Sequence, residues 1–219
     1  GVTALNTLAG KTAGVVTAQV SGTAAELALL TTAGTDMIAV TVSNAHDLAK
    51  LKAINNATGG TITLNDASVA LSGSAADITA ALAGISGYTG DVTASGTQTG
   101  SSGVTAVNAL GTATSGAVTA TLTGTISEVA SLSTAATDII AVTASGTFTG
   151  ASGVTALNAL GGKTGGVVTA TLTGSISEVA SLTTAATDVI AVTASGTFTG
   201  ASGVTALNAL GGKTGGVVT

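Results

Sequence analysis

Proline, cysteine, tryptophan and arginine are missing from this 219-residue chain, and its only aromatic side chains besides His46 are Tyr88, Phe148 and Phe198. Absent cysteine excludes a disulfide scaffold without fixing a compartment. So few rings exclude a thick core; many small side chains must be buried in thin, regular layers. Charge is scarce too, at 7% of residues against about 25% in an ordinary domain. Five lysines stand against ten acids, for a net charge of −5. A surface for nucleic-acid phosphates, which needs clustered Lys and Arg, is thereby excluded. No stretch approaches the roughly 18 uninterrupted apolar residues of a membrane helix. There is no signal peptide and no initiator methionine, which predicts a chain cut from something longer.

What the chain has is repetition. Residues 101–150 and 151–200 agree at 41 of 50 positions, and 201–219 repeat 151–169 unchanged. Residues 1–43 follow the template of 153–195, and 44–100 are diverged copies of it. Each 50-residue block divides again, because a shift of 22 places Val154 on Ile176, Leu157 on Val179, Leu160 on Leu182 and Val168 on Ile190. Coils of about 22 and 28 residues therefore alternate, beginning near residues 1, 23, 44, 74, 103, 125, 153, 175 and 203. Repeats of this length predict one continuous solenoid over 1–219, with about nine coils.

Each coil opens on a helical signal and closes on a strand signal. In Ser175–Leu182 the apolar residues Ile176, Val179 and Leu182 fall at helical spacing. A capping box, in which a hydroxyl or amide and an acid three residues later satisfy each other's backbone N–H, is expected at Thr23/Glu26, Asn44/Asp47, Ser74/Asp77, Thr125/Glu128 and Ser175/Glu178. The alternate coils carry helices such as 153–160, with Gly161 as a left-handed C-cap. In the second half, Val168, Ala170 and Leu172 alternate with Thr169, Thr171 and Thr173, and Ile190, Val192, Ala194, Gly196 and Phe198 alternate with Ala191, Thr193, Ser195, Thr197 and Thr199. That period of two describes strands buried on one face. Helix, turn and strand repeated in one direction predict an α/β fold with a parallel sheet and right-handed crossovers; the alternative is an all-β solenoid. An apolar opening helix and a final strand that stops at Thr219 predict ends that meet further units.

No catalytic constellation emerges. The single histidine, His46, has no cysteine or second histidine nearby in sequence and is expected at the surface. A catalytic nucleophile would have no other candidate base. Asp36, Asp91, Asp138 and Asp188 all stand at turns leading into strands, where Asp binds its own backbone. Asp36, Asp138 and Asp188 are the residues a calcium ion would use, with backbone carbonyls completing its six to eight oxygens. No cofactor is otherwise implied. Gly161–Gly166 contains Lys163 but has the helix-to-strand order, opposite to that of a phosphate loop. Asn6, Asn108, Asn158 and Asn208 recur at one helix position, suited to solvent or to a neighbouring coil's turn. Thr169, Thr171, Thr173, Thr193, Ser195, Thr197 and Thr199 form an outward row that could meet ice, polysaccharide or another fibre.

The pattern Thr/Ser-x-x-Glu/Asp-Leu/Val-x-x-Leu, then a Gly-rich turn, then a Val/Thr strand, runs through TAAELALLTTAGTDMIAVTVS and NAHDLAKLKAINNATGGTITL. It resembles repeats of giant bacterial surface and secreted proteins, among them cyanobacterial motility-associated and adhesin-like proteins. The resemblance implies an extracellular or cell-surface rod, not an enzyme. Its partners would be copies of itself or further repeats of the same chain, with polysaccharide as a second partner and no membrane span.

Overall fold

Helix and strand alternate along the chain, as the two interleaved periodicities require, and this computed structural model describes all residues from Gly1 to Thr219. The strands form two sheets in which paired neighbours run parallel. The fold is therefore α/β, and the all-β alternative is set aside. The chain makes two compact units. One is Gly1–Ser95 with Ala109–Val118, the other Gly96–Asn108 with Thr119–Thr219.

In the first unit the order is α1 (Val2–Ala9), β1 (Thr17–Gly22), α2 (Ala24–Leu27), β2 (Met37–Val42), α3 (Leu48–Asn56), β3 (Ile62–Leu64), β4 (Leu71–Gly73), α4 (Ala75–Leu82) and the start of β5 (Val92–Thr99). Strands β1, β2 and β3 lie side by side, with Val20 opposite Val40 and Val40 opposite Ile62; β4 pairs with β5. Stacking equivalent residues puts one apolar column inside, where Val16, Val20, Leu27, Ile38, Val40, Ile54 and Ile62 are buried together. The pattern breaks once, between β3 and β4. There Asp66 accepts from the Ser68 amide (2.8 Å) and hydroxyl (2.6 Å), a turn that inserts residues into the third repeat.

The second unit contains most of α5 (Gly100–Ala113) and β6 (Val118–Thr125) and all of α6 (Ile126–Val129), β7 (Ile139–Thr149), α7 (Gly150–Gly161), β8 (Val168–Ser175), α8 (Ile176–Val179), β9 (Val189–Ser195) and α9 (Gly200–Gly211). Its strands follow the order β6-β7-β8-β9, and Leu122, Val142, Val168, Leu172 and Val192 form the buried layer.

Three local expectations change. Helix α7 starts at Gly150, three residues earlier than the apolar spacing indicates, after a left-handed turn at that glycine (φ +59°). It ends without a left-handed cap, because Gly161 is helical and Gly162 stays right-handed at φ −74°. The strict alternation in the longer strands also fails. β7 shifts register between Thr143 and Thr147, so Gly146 leaves the inner face and Phe148 returns to it. In β9 the strand ends at Ser195. The last ladder reaches only Val218 and Thr219, beside Val192 and Thr193, so Thr197 and Thr199 lie beyond the strand.

Candidate functional site

The chemistry this chain concentrates lies between successive repeats, where side chains of one bind the backbone of the next. Asn158 shows the pattern. Its Nδ2 donates to the Ser181 carbonyl (3.0 Å) and its Oδ1 accepts from the Thr183 amide (2.8 Å). A carboxamide has the same donor and acceptor as a peptide group, so it closes both valences of the turn at once. Asn108 does the same with Ser131 and Ser133, and Asn6 with Leu29 and Thr31.

A second device went unread in the sequence: a buried threonine two residues before a glycine. Thr164 Oγ1 donates to Ile140 O (2.8 Å) and accepts from the amides of Ile140 (2.8 Å) and Gly166 (2.9 Å). Thr58 with Gly60, Thr114 with Gly116, and Thr214 with Gly216 repeat it. The glycine is forced, since a Cβ at Gly166 would overlap the Ile140 carbonyl and one at Gly60 the Ile38 carbonyl. The Thr-x-Gly spacing, constant while its middle residue changes from Gly to Ser, is the signal that could have found it.

The aspartates join the same lattice. Asp188 is buried; its Oδ1 accepts from the Val168 amide (2.8 Å) and its Oδ2 from the Ala185 amide (2.9 Å). Asp36 accepts from Val16 and Ala33 in the same way, and Asp138 accepts from Ala135. Asp91 differs in taking the amide of Ala117, in the following repeat. No three acidic, histidine or cysteine side chains converge as a cation would need. Lys163 donates to the Ala130 carbonyl (2.7 Å) and Lys213 to that of Ala180 (2.7 Å), so these lysines close the ends of α6 and α8.

The predicted caps divide. Thr23/Glu26, Thr125/Glu128 and Ser175/Glu178 form reciprocal boxes. Ser74 accepts from the Asp77 amide (3.1 Å), while Asp77 turns to the Ser74 hydroxyl and to Lys52. Asn44 does not cap α3. That helix begins at Leu48 with Asp47 as its N-cap, taking the Lys50 amide, and the Asn44 carboxamide oxygen instead accepts from the Ala24 amide (2.7 Å). The box fails because Asp47 can cap by itself, and the neighbouring repeat offers Asn44 an orphan helix N–H. Glu128 and Glu178 have a further task. While one oxygen serves its own box, the other accepts from Ser101 (3.2 Å) or Ala151 (3.1 Å), at the start of the preceding helix. These bonds, the backbone N–H of the cap residue foremost, hold both carboxyls below the usual range.

His46 is not at the surface. It is 7% exposed, its ring lies 6.3 Å from that of Tyr88, and neither ring nitrogen has a hydrogen-bond partner. Burial lowers its pKa, against the opposing charges of Asp66 and Asp47. Burial likewise pushes the Tyr88 phenol up to about 12, and its hydroxyl donates to the Val69 carbonyl. Helical spacing placed His46 within a capping box; the later start of α3 turns it inward.

The outward row stands on β8 and β9, with Thr171, Thr193 and Ser195 exposed and Thr169 and Thr173 half-buried. Thr173 faces Thr193, but Thr169 faces Val189 and Thr171 faces Ala191, so the hydroxyl lattice is interrupted. Shallow hollows recur between repeats. One, of about 350 Å³, is lined by Asn158, Thr164, Gly166 and Asp188; its counterpart, of about 390 Å³, is lined by Asn6, Thr12, Gly14 and Asp36. The polar groups of Asn158, Thr164 and Asp188 are already engaged with backbone. No helix is long and apolar enough to cross a membrane. Comparison with protein families, characterised proteins and solved structures finds no match to this chain.

Proposed function

We propose that the chain is a structural repeat segment of an extracellular fibre, sheath, surface layer or adhesin stalk, wound as a right-handed solenoid whose coils stack on one another and on further copies. One observation carries this reading. Asn, Thr, Asp, Lys and Glu side chains, the groups that elsewhere do chemistry, are spent on the backbone of the adjoining repeat, in arrangements that recur along the chain. A chain that commits its polar atoms this way gains regular length and retains few groups for a substrate.

Length is the test. Versions carrying one and two extra copies of residues 151–200 are measured by small-angle X-ray scattering. Each copy adds two strands, so the maximum dimension grows by about 10 Å per copy at constant cross-section. Growth in all three dimensions, as for a globule, would sink the proposal.

A further inference from the structure

The outer face of β6–β9 carries an oblique apolar band. Ile139 is 53% exposed, Val167 40%, Val189 45% and Val217 69%. The ladders place Val189 beside Thr169 and Ile139 beside Thr119, with Ala141 and Ala191 completing the band between threonines. The same positions of the first unit hold Val15 and Met37, also exposed. An apolar residue at a solvent-facing strand position is ordinary once; here it recurs in both units.

We infer that this face docks on the same face of a second copy of the chain, sheet against sheet. Charge selects the occupant. β6, β7, β8 and β9 contain no charged residue, in a chain bearing five lysines and ten acids. A charged polymer finds no counter-charge on this face, whereas two copies meet here without repulsion, although their net charge of −5 opposes contact elsewhere. Thr, Ala and Val side chains are short enough for two sheets to close to about 10 Å. Area sets the strength. Four strands of seven to eleven residues offer a face of roughly 19 by 26 Å, about 500 Å² per partner. The pair then buries about 1,000 Å², at the threshold for specific association. Pairing is weak for one such unit and strengthens as repeats are added. The inference deepens the fibre reading and rests on it for its biological sense, because it names how neighbouring rods adhere sideways.

Sedimentation equilibrium of the whole chain from 10 μM to 1 mM tests it, beside the double variant Ile139→Lys, Val189→Lys and the control Ala159→Lys on the exposed side of α7. The expected result is dimerisation in the native chain and the control, and at least a tenfold weaker dimer in the double variant. Two lysines bring the net charge from −5 to −3, which by itself favours association, so a loss identifies the face. Circular dichroism and Tyr88 fluorescence check that each variant folds. A native chain that stays monomeric throughout, or a folded double variant that pairs as well as the native one, overturns the inference. Either leaves the length test standing, and dimers without linear growth in that test would remove the fibre reading alone.

Discussion

Residues 119–219 and residues 44–95 solve one problem in two ways. In the former, each repeat is tied to the next by the same few bonds: Asn to a turn, threonine to a carbonyl, aspartate to an amide, glutamate to a helix start. In the latter, some ties survive, with Thr58 still bonding Ile38 and Asn55 reaching Ala80. Others are replaced by the ion pair of Lys52 with Asp77 and by the buried pair of His46 and Tyr88, while Lys50 pairs with Asp47 within α3's own first turn. The backbone lattice thus tolerates drift where the side chains on the helix surface change. Both regions keep the glycine of Thr-x-Gly, at Gly60, Gly90 and Gly166, where a Cβ would strike a neighbouring carbonyl, but Tyr88 stands in the threonine position before Gly90 and its hydroxyl donates to Val69.

The largest expected effect attacks what they share. Gly166→Ala and Gly60→Ala each drive a methyl into a neighbouring carbonyl, and each should cost about 2–3 kcal/mol, an overpacking loss the backbone cannot relieve by rotamer change. Residue-resolved hydrogen exchange in urea reads it; a loss in one region alone would mean the threonine latch differs between them.

Acid should separate the regions. His46 has a lowered folded pKa and an unfolded value near 6.5, so the unfolded state takes up a proton first as pH falls. Its contribution is complete above about pH 6.5 and is lost as pH drops toward the folded value. Glu128 and Glu178 also have lowered folded values, so theirs persists until pH falls below about 4.5 and through those values. Tyr88 is the only tyrosine and there is no tryptophan, so intrinsic fluorescence excited at the tyrosine band reports on the His46 region directly. It should change before β6–β9 loses protection from exchange, and His46→Phe should delay it. Simultaneous loss in both regions would contradict the assignment.

The smallest effect concerns the replacements. Lys52 and Asp77 are both half-exposed, so Lys52→Ala should cost roughly 0.5 kcal/mol or less and become silent in 1 M salt. Urea denaturation at two salt concentrations decides it.

Much of this arrangement was legible in the residues. Apolar spacing locates the helices from Ala24, Ala75, Ile126 and Ile176, and alternation locates β8, because both depend on local periodicity. The reciprocal caps at Thr23, Thr125 and Ser175 followed from a four-residue pattern. What escaped depends on a neighbour some 20–30 positions away, such as Thr164 finding Ile140 or Asn44 finding Ala24. A buried hydroxyl looks like any other threonine until its partner strand is in place. His46 escaped for a similar reason, since its burial depends on where α3 begins and on Tyr88 rather than on its own surroundings in sequence.

The reach of these bonds has a genetic consequence. The longest side-chain hydrogen bonds described above, Lys163 to Ala130 and Lys213 to Ala180, span 33 residues, less than the 50-residue block. Unequal recombination that adds or deletes one whole block would therefore hand every donor an equivalent acceptor. Array number can vary between generations without a compensating mutation, whereas a frameless deletion of ten residues would orphan buried carboxylates and hydroxyls on both sides of the cut.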